Sequence, residues 1–200
     1  MKQTVYIVDD DRAMRDALAQ LLDNAGFRIR AFSEGAEFLA ACDADSTGCI
    51  LLDMSMPGMS GREVQATLQE QEIGLPVLFL TGHGDIPSAV KAVKDGAIDF
   101  LEKPIRGEVL IARVQRALEI DAERRKSIAK ARDLRQRHAR LTDREREVMH
   151  WVTSGLSNKE IARKLELSPR TVEAHRQHVM HKMGADNLVE LVEMASACVS

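Results

Sequence analysis

Four short apolar runs in the first half of the chain stop abruptly at residues that carry chemistry, and this feature limits the fold more than any other. Val5-Tyr6-Ile7-Val8 ends at Asp9-Asp10-Asp11, and Cys49-Ile50-Leu51-Leu52 ends at Asp53. Pro76 to Leu80 ends at Thr81, and Ile98 to Leu101 leads into Lys103-Pro104. The first three are apolar throughout and read as strands buried on both faces; Ile98 to Leu101, interrupted by Asp99, reads as the last strand. Arg28 to Phe32 alternates and reads as one more strand. Between them lie helical patterns. Met14, Ala17, Leu18, Leu21 and Leu22 share a face before a stop at Gly26; Glu34 to Ala41 and the Val64–Leu68 region follow. Ala89, Val90 and Val93 mark a fourth helix ended by Gly96, and Leu110, Ile111, Val114 and Leu118 a fifth. Ser33, with Ala36 where an acid would stand, gives only an imperfect capping box. Five strands alternating with five helices imply an α/β, doubly wound parallel sheet of flavodoxin-like type. In such sheets the site lies beyond the carboxyl ends of the strands.

The residues at those ends form a coherent set. Clustered carboxylates repel one another unless a cation neutralises them. Mg2+ takes hard oxygen ligands and needs only a couple of carboxylates plus a substrate phosphate. An aspartate can attack phosphorus and become an acyl phosphate, with a lysine and a hydroxyl to hold the new oxygens. Taken singly, Asp9 to Asp11 read as helix N-caps, Asp53 as the start of a turn, and Thr81 and Lys103 as unremarkable. The joint placement at four strand ends argues for a site.

The net charge of -3 is unevenly spread. Residues 1–120 hold 12 Lys and Arg against 19 Asp and Glu; residues 121–140 hold 8 against 3; residues 141–200 hold 8 against 9. An acidic head, a basic joint and a near-neutral tail suggest units with different partners. The expected organisation is 1–120, a linker over 121–136, and 137–200. No apolar run reaches the roughly 20 residues of a membrane-spanning helix, and no basic-then-apolar leader precedes Thr4. Cys42, Cys49 and Cys198 are odd in number and lack metal-ligand spacing, so they read as free thiols in a reducing cytoplasm. From Gly107 to Gly155 no Gly or Pro intervenes, and the joint is rich in Ala, Arg and Lys. The fifth helix is therefore expected to run on to about Arg137, with flexible coil as the alternative. Its basic face is either simply solvated or meets DNA phosphates.

The tail reads as an all-α domain of four helices. Thr142 and Glu145 form a capping box; Ser157-Asn158 precedes a helix to Leu165; Leu167-Ser168-Pro169 opens another that Gly184 stops. A last helix runs from about Asn187 to Cys198. The third of these turns Val172, His175 or Arg176, Val179 and Met183 to the core. The opposite face carries Arg170, Ala174, Gln177 and His181, with Glu173 on its flank. Two short helices joined tightly fit a helix-turn-helix, whose second helix enters the major groove. That face then supplies base contacts: Arg for guanine, Gln for adenine, Glu for cytosine. Asn158, Lys159, Thr171, Arg176 and Lys182 are candidates for phosphate contacts. A small bundle with a polar face fits the spacing equally well.

Two resemblances narrow these readings. Val8-Asp9-Asp10, Asp53 followed by Met56-Pro57-Gly58, Thr81-Gly82 and Lys103-Pro104 resemble the receiver domain of response regulators, and Thr81-Gly82-His83-Gly84-Asp85 resembles its FixJ branch. Leu141-Thr142 with Glu145, Glu147 and Val148, then Gly155, Ser157 to Ala162, and Leu167-Ser168 with Thr171, Val172 and His175, resemble the LuxR-type DNA-binding domain. The first resemblance implies that a histidine kinase phosphorylates Asp53. It implies that Asp10, Asp53 and the Ser55 carbonyl bind Mg2+ directly and that Asp9 acts mainly through water. Thr81 and Lys103 would take the phosphoryl oxygens, Phe100 would move with Thr81, and the Lys103-Pro104 bond would be cis. Asp11 is peripheral. Phosphorylation would repack the face made by the fourth helix, fifth strand and fifth helix, giving a homodimer that binds DNA. RNA polymerase is a further candidate partner. Glu173 departs from the Lys common in relatives, which favours base readout there. His175 reads as packed rather than DNA-bound.

Three other classes fit less well. An aspartyl-phosphate hydrolase needs an acid or base two residues after its nucleophile, where this chain has Ser55. A regulator sensing a small ligand would need an apolar pocket in place of the strand-end charges. A pure docking module leaves Leu167 to Met183 unexplained. The expectation is a non-enzyme, a phosphoacceptor with at most self-dephosphorylation.

Overall fold

The computed structural model describes residues 3–82 and 96–199. The chain divides into two compact units, Met1–Arg124 and Arg125–Ser200.

In the first unit, β1 (Thr4–Val8), β2 (Arg28–Phe32), β3 (Gly48–Asp53), β4 (Val77–Thr81) and β5 (Asp99–Glu102) form one sheet in the order β2-β1-β3-β4-β5. Every pairing is parallel. The order reverses between β1 and β3, so the carboxyl ends of these two strands flank the crevice where such sheets place ligands. β1, β3 and β4 are buried along their whole length, which is why their sequences are continuously apolar rather than alternating. β2 is an edge strand with Arg28 and Arg30 exposed; charge on an edge discourages pairing with another chain.

Alternate residues of the strands feed two cores. Tyr6, Val8, Ile50, Leu52 and Phe79 pack with Phe38 of α2 (Gly35–Ala40) and with Val64 and Leu68 of α3 (Gly61–Glu70). Val5, Ile7, Cys49, Leu51, Leu78 and Leu80 pack with Leu18 and Leu22 of α1 (Arg12–Asn24) and with Leu110 and Val114 of α4 (Gly107–Ala139). Each fully buried Leu or Ile side chain is worth about 1.5–3 kcal/mol over exposure. The two half-cores therefore fix the register that brings the strand ends together.

Helix starts follow local chemistry. Asp11 caps α1, accepting from the N–H groups of Ala13 and Met14 at 2.8 and 3.3 Å. Ser60 and Glu63 form a full capping box on α3, a signal the sequence reading missed. α2 begins at Gly35 after Glu34, which makes no side-chain cap; the imperfect Ser33 box is not used. The expected helix over Ala89, Val90 and Val93, and the His83–Gly84 loop, lie outside the described residues. α4 is a single 33-residue helix, so the expected helical extension is present and the coil alternative is not.

In the second unit, α5 (Asp143–Thr153), α6 (Asn158–Leu165), α7 (Pro169–Met183) and α8 (Leu188–Val199) enclose a core of Val148, Met149, Val152, Ile161, Val172, Val179, Met183 and Leu191. Thr142 with Glu145 and Ser157 with Glu160 make capping boxes on α5 and α6; Ser168 caps α7, with Pro169 at its first position. The α6–α7 turn passes through Glu166 at φ 55, a left-handed residue that is not glycine. Gly184 ends α7 at φ 68, where a side chain would be strained and would also strike Arg137 Nη1 at 2.2 Å. The last turn of α4 joins this unit: Arg137 Nη1 donates to the Met183 carbonyl at 2.8 Å.

Candidate functional site

β1 and β3 deliver Asp9, Asp10 and Asp53 to one place. One carboxylate oxygen from each lies within 4.8 Å of the other two. Asp9 is fully buried, Asp53 is 8% exposed, and Asp10 faces solvent. Lys103, just beyond β5, points its ammonium between two of them: Nζ donates to Asp9 Oδ2 at 2.7 Å and stands 3.1 Å from Asp53 Oδ1. Asp9 Oδ1 also accepts from the Asp11 N–H at 2.9 Å. The Lys103-Pro104 bond is cis. Thr81, buried at the end of β4, donates from Oγ1 to the Gly82 carbonyl at 3.2 Å, while the Lys103 N–H donates to the Thr81 carbonyl at 2.8 Å. Phe100 pairs in register with Phe79 and packs, half-buried, against the first core. Ser55 is exposed in the loop after β3. That loop is held close by Gly61, whose N–H donates to the Met54 carbonyl at 3.1 Å; a Cβ there would lie 2.2 Å from the Asp53 carbonyl oxygen.

The electrostatics follow from this crowding. Burial pushes the Asp53 carboxyl above its ordinary value, the Asp9 and Asp10 charges add to that, and Lys103 only partly offsets it. Burial pulls the Lys103 ammonium down, but its hydrogen bonds and charge contacts with Asp53 and Asp9 outweigh this and hold it above 10.5. Lys103 therefore stays a cation. Three clustered carboxylates with one ammonium between two of them leave excess negative charge and several unused lone pairs. That donor set, all hard oxygen, suits Mg2+.

One residue at this site was missed in the sequence. Arg15 of α1 donates from Nη1 to the Asp9 carbonyl at 2.6 Å. The only signal available was its place one turn into the helix that Asp11 caps.

In the second unit α7 exposes Arg170, Glu173, Ala174, Gln177 and His181, the face read from the helical period, and buries Val172, Val179 and Met183. His175 and Arg176 are half-buried. A groove of about 740 Å3 runs beside Glu173, Gln177 and His181, and Lys159 lies exposed on α6. Thr171 Oγ1 is 2.7 Å from Ser168 Oγ. Arg176 donates to Asn158 Oδ1 at 2.6 Å, so two candidate phosphate contacts brace α6 against α7. Lys182 turns inward, donating to Glu145 Oε2 at 2.6 Å and to the Arg140 carbonyl at 3.3 Å. This pairing across 37 residues had no local sequence signature.

The two units together define a class: an acidic pocket at the strand ends of a doubly wound domain, carried with a helix-turn-helix. Residues 5–115 match the response regulator receiver domain family and residues 139–195 the luxR family of bacterial regulatory proteins. The chain is 46% identical over 194 residues to the transcriptional regulatory protein FixJ of Bradyrhizobium diazoefficiens, covering 97% of this chain and 95% of that one. It is 38% identical over 190 residues to the response regulator protein TodT of Pseudomonas putida, covering 95% and 84%. Among solved structures it is similar to the response regulator StyR (TM-score 0.90, 40% identity, covering 98% and 99%) and to full-length FixJ from B. japonicum (TM-score 0.62, 45% identity, covering 100% and 98%). The chain belongs to the two-component response regulators of the FixJ type, transcriptional regulators that join a receiver to a LuxR-type DNA-binding domain.

Proposed function

We propose that Asp53 is the phosphoacceptor of a histidine kinase and that its phosphorylation makes this chain a DNA-binding homodimer. The observation that carries this reading is the Lys103 ammonium, 2.7 Å from Asp9 and 3.1 Å from Asp53, within a cluster of three carboxylates. A carboxylate oxygen of Asp53 attacks phosphorus, the P–N bond of a phosphohistidine breaks, and its electron pair returns to the imidazole, which takes up a proton. Asp10, Asp53 and the Ser55 carbonyl would hold Mg2+, with Asp9 acting through water. When bound, the ion supplies charge neutralisation for the incoming phosphoryl group. Lys103 keeps its proton and pairs with a phosphoryl oxygen. Thr81 exchanges its bond to the Gly82 carbonyl for one to the phosphoryl group, and Phe100 follows toward the interior.

The modification adds about -1.5 to -2 charges. It need only bias a two-state element, and moving one from 1:99 to 99:1 takes roughly 5.5 kcal/mol. Pairing of two copies through the receiver would set two recognition helices on a twofold-related site. Arg170, Glu173, Ala174, Gln177 and His181 then face base edges. Asn158, Lys159, Thr171, Arg176 and Lys182 face phosphates, once Lys182 is released from Glu145 or is shared with it. RNA polymerase is a further partner of such a regulator. The working division is a receiver over 1–120, a linker over 121–136 and a DNA reader over 137–200. The three free cysteines suit the reducing cytoplasm. The chain acts as a phosphoacceptor, with at most self-dephosphorylation.

The test is to incubate the full chain with acetyl phosphate and Mg2+ and to measure hydroxylamine-labile phosphate and oligomeric state. Uptake and dimerisation in the native chain, both lost in Asp53→Asn, are expected. Phosphorylation-dependent dimerisation that survives in Asp53→Asn refutes the assignment.

A further inference from the structure

A second cavity, of about 240 Å3, opens in the first unit at the amino ends of β4 and β5, the opposite end of the sheet from the aspartates. Leu68, Leu75, Val77, Ile98 and Ile120 give it apolar walls, and Arg124 stands at its edge. The Arg124 guanidinium lies across Gly74 so closely that a Cβ on that residue would come within 2.3 Å of Nη1. Nη2 donates to Asp121 Oδ1 at 3.1 Å. Nε is the one buried side-chain nitrogen or oxygen among the described residues that has no hydrogen-bond partner. A buried donor without a partner costs about 1–3 kcal/mol, and native proteins rarely keep one without reason.

Apolar walls with an under-satisfied guanidinium at the rim recognise an amphiphilic anion. An apolar body fills the walls, and a carboxylate accepts from the arginine through charge-assisted hydrogen bonds. Gln65 and Gln69 also line the cavity and have partners of their own, so among the described residues Arg124 is its one charged donor, which suits a singly charged carboxylate better than a phosphate or sulfate with more oxygens to desolvate. The cavity is smaller than the roughly 300–1,000 Å3 of pockets for drug-sized molecules, so its ligand is compact. Asp121 already holds one side of the guanidinium, which leaves the Nη1 side for the ligand.

We propose that this cavity is a binding site for a small monocarboxylate with a compact apolar body, anchored on Arg124. Ile120 and Arg124 both belong to α4, whereas Leu75 and Val77 belong to the entry of β4. The ligand therefore seats that part of α4 on the base of the sheet and stiffens the receiver end of the long helix.

The probe is sodium benzoate, with benzamide as its uncharged isostere, titrated into the 15N-labelled full chain. Saturable benzoate-dependent shifts of the Gly74, Gly96 and Ile98 amides are expected at millimolar concentration or below, with benzamide at least about tenfold weaker. Arg124→Gln removes the charge. Gly74→Ala keeps the charge but pushes the guanidinium off its seat, at a backbone position that tolerates alanine. Each is expected to weaken benzoate binding by about tenfold or more, while amide signals far from the cavity stay unchanged. Equal binding of benzamide, shifts mapping elsewhere, no saturable shift, or undiminished binding in either variant would overturn the proposal.

Discussion

Lys182, near the end of α7, donates to the Glu145 carboxylate in the first turn of α5 at 2.6 Å, and that carboxylate is only 5% exposed. The same Oε2 accepts from the Thr142 N–H at 2.8 Å. One buried anion therefore caps α5 and holds α7. Burial alone pushes the Glu145 carboxyl up, but the Lys182 ammonium and the two Thr142 donors outweigh it and hold it below its ordinary 4.5. An acid depressed in the folded state contributes stability that is present above its unfolded pKa and is lost as pH falls through the folded one. The second unit is therefore expected to lose stability below about pH 4.5. Glu145→Gln should remove that dependence and cost roughly 1.5–3 kcal/mol at neutral pH, the worth of hydrogen bonds to a charged group. Urea unfolding between pH 3 and 7, followed by Trp151 fluorescence, measures both; an unchanged acid limb in the variant contradicts the role given to Glu145.

Asp53 has the opposite sign. Burial first, then the Asp9 and Asp10 charges, raise its carboxyl above 3.8. Its contribution to stability is fully present below the unfolded value and is lost as pH rises through the folded one. At neutral pH the ionised Asp53 thus weighs against the fold. Asp53→Asn is expected to raise the melting temperature of the first unit at pH 7 by a few degrees, with the gain shrinking on acidification. Calorimetry across that range is the measurement, and a lower melting temperature for the variant at pH 7 would contradict it.

The same crowding makes a cation stabilising. If Mg2+ binds the folded pocket alone, an ion concentration about 100 times its Kd adds roughly 2.7 kcal/mol. Melting of the first unit should move upward with Mg2+ in the native chain. It should move much less in Asp10→Asn or Asp53→Asn, and not at all in the double variant. An equal shift in all four chains would assign the effect to general ionic strength.

The strand ends were legible because burial on both faces leaves a parallel strand no polar residue except at its tip. Asp9, Asp53 and Thr81 could thus be read as neighbours from one-dimensional spacing. Lys103 belongs to the same class, and the structure brings it to Asp9 across 94 residues. The exposed face of α7 was legible for the corresponding reason, since period 3.6 sets Arg170, Ala174 and Gln177 opposite Val172 and Val179. What stayed hidden is pairing set by packing rather than by period. Arg15 reaches Asp9, Lys182 reaches Glu145, and buried Asp121 accepts from the Gly48 N–H at 2.9 Å across 73 residues. Long polar side chains point wherever the fold leaves an acceptor, and no local spacing records that choice.

The two kinds of DNA contact proposed for α6 and α7 can be separated by experiment. Arg170 is exposed on the first turn of α7, and Lys159 is exposed on α6. If Arg170 reads a base edge, Arg170→Ala should cost about 1–3 kcal/mol on the preferred site and relax the choice of base at one position per half-site. If Lys159 meets a phosphate, Lys159→Ala should weaken binding evenly across sequences and lower the slope of log K against log salt by about 1. Selection from a randomised duplex pool by the phosphorylated chain, followed by salt titration on the winning site, distinguishes the two. Uniform weakening with Arg170→Ala would contradict the base contact given to Arg170, and altered base preference with Lys159→Ala would contradict the phosphate contact given to Lys159.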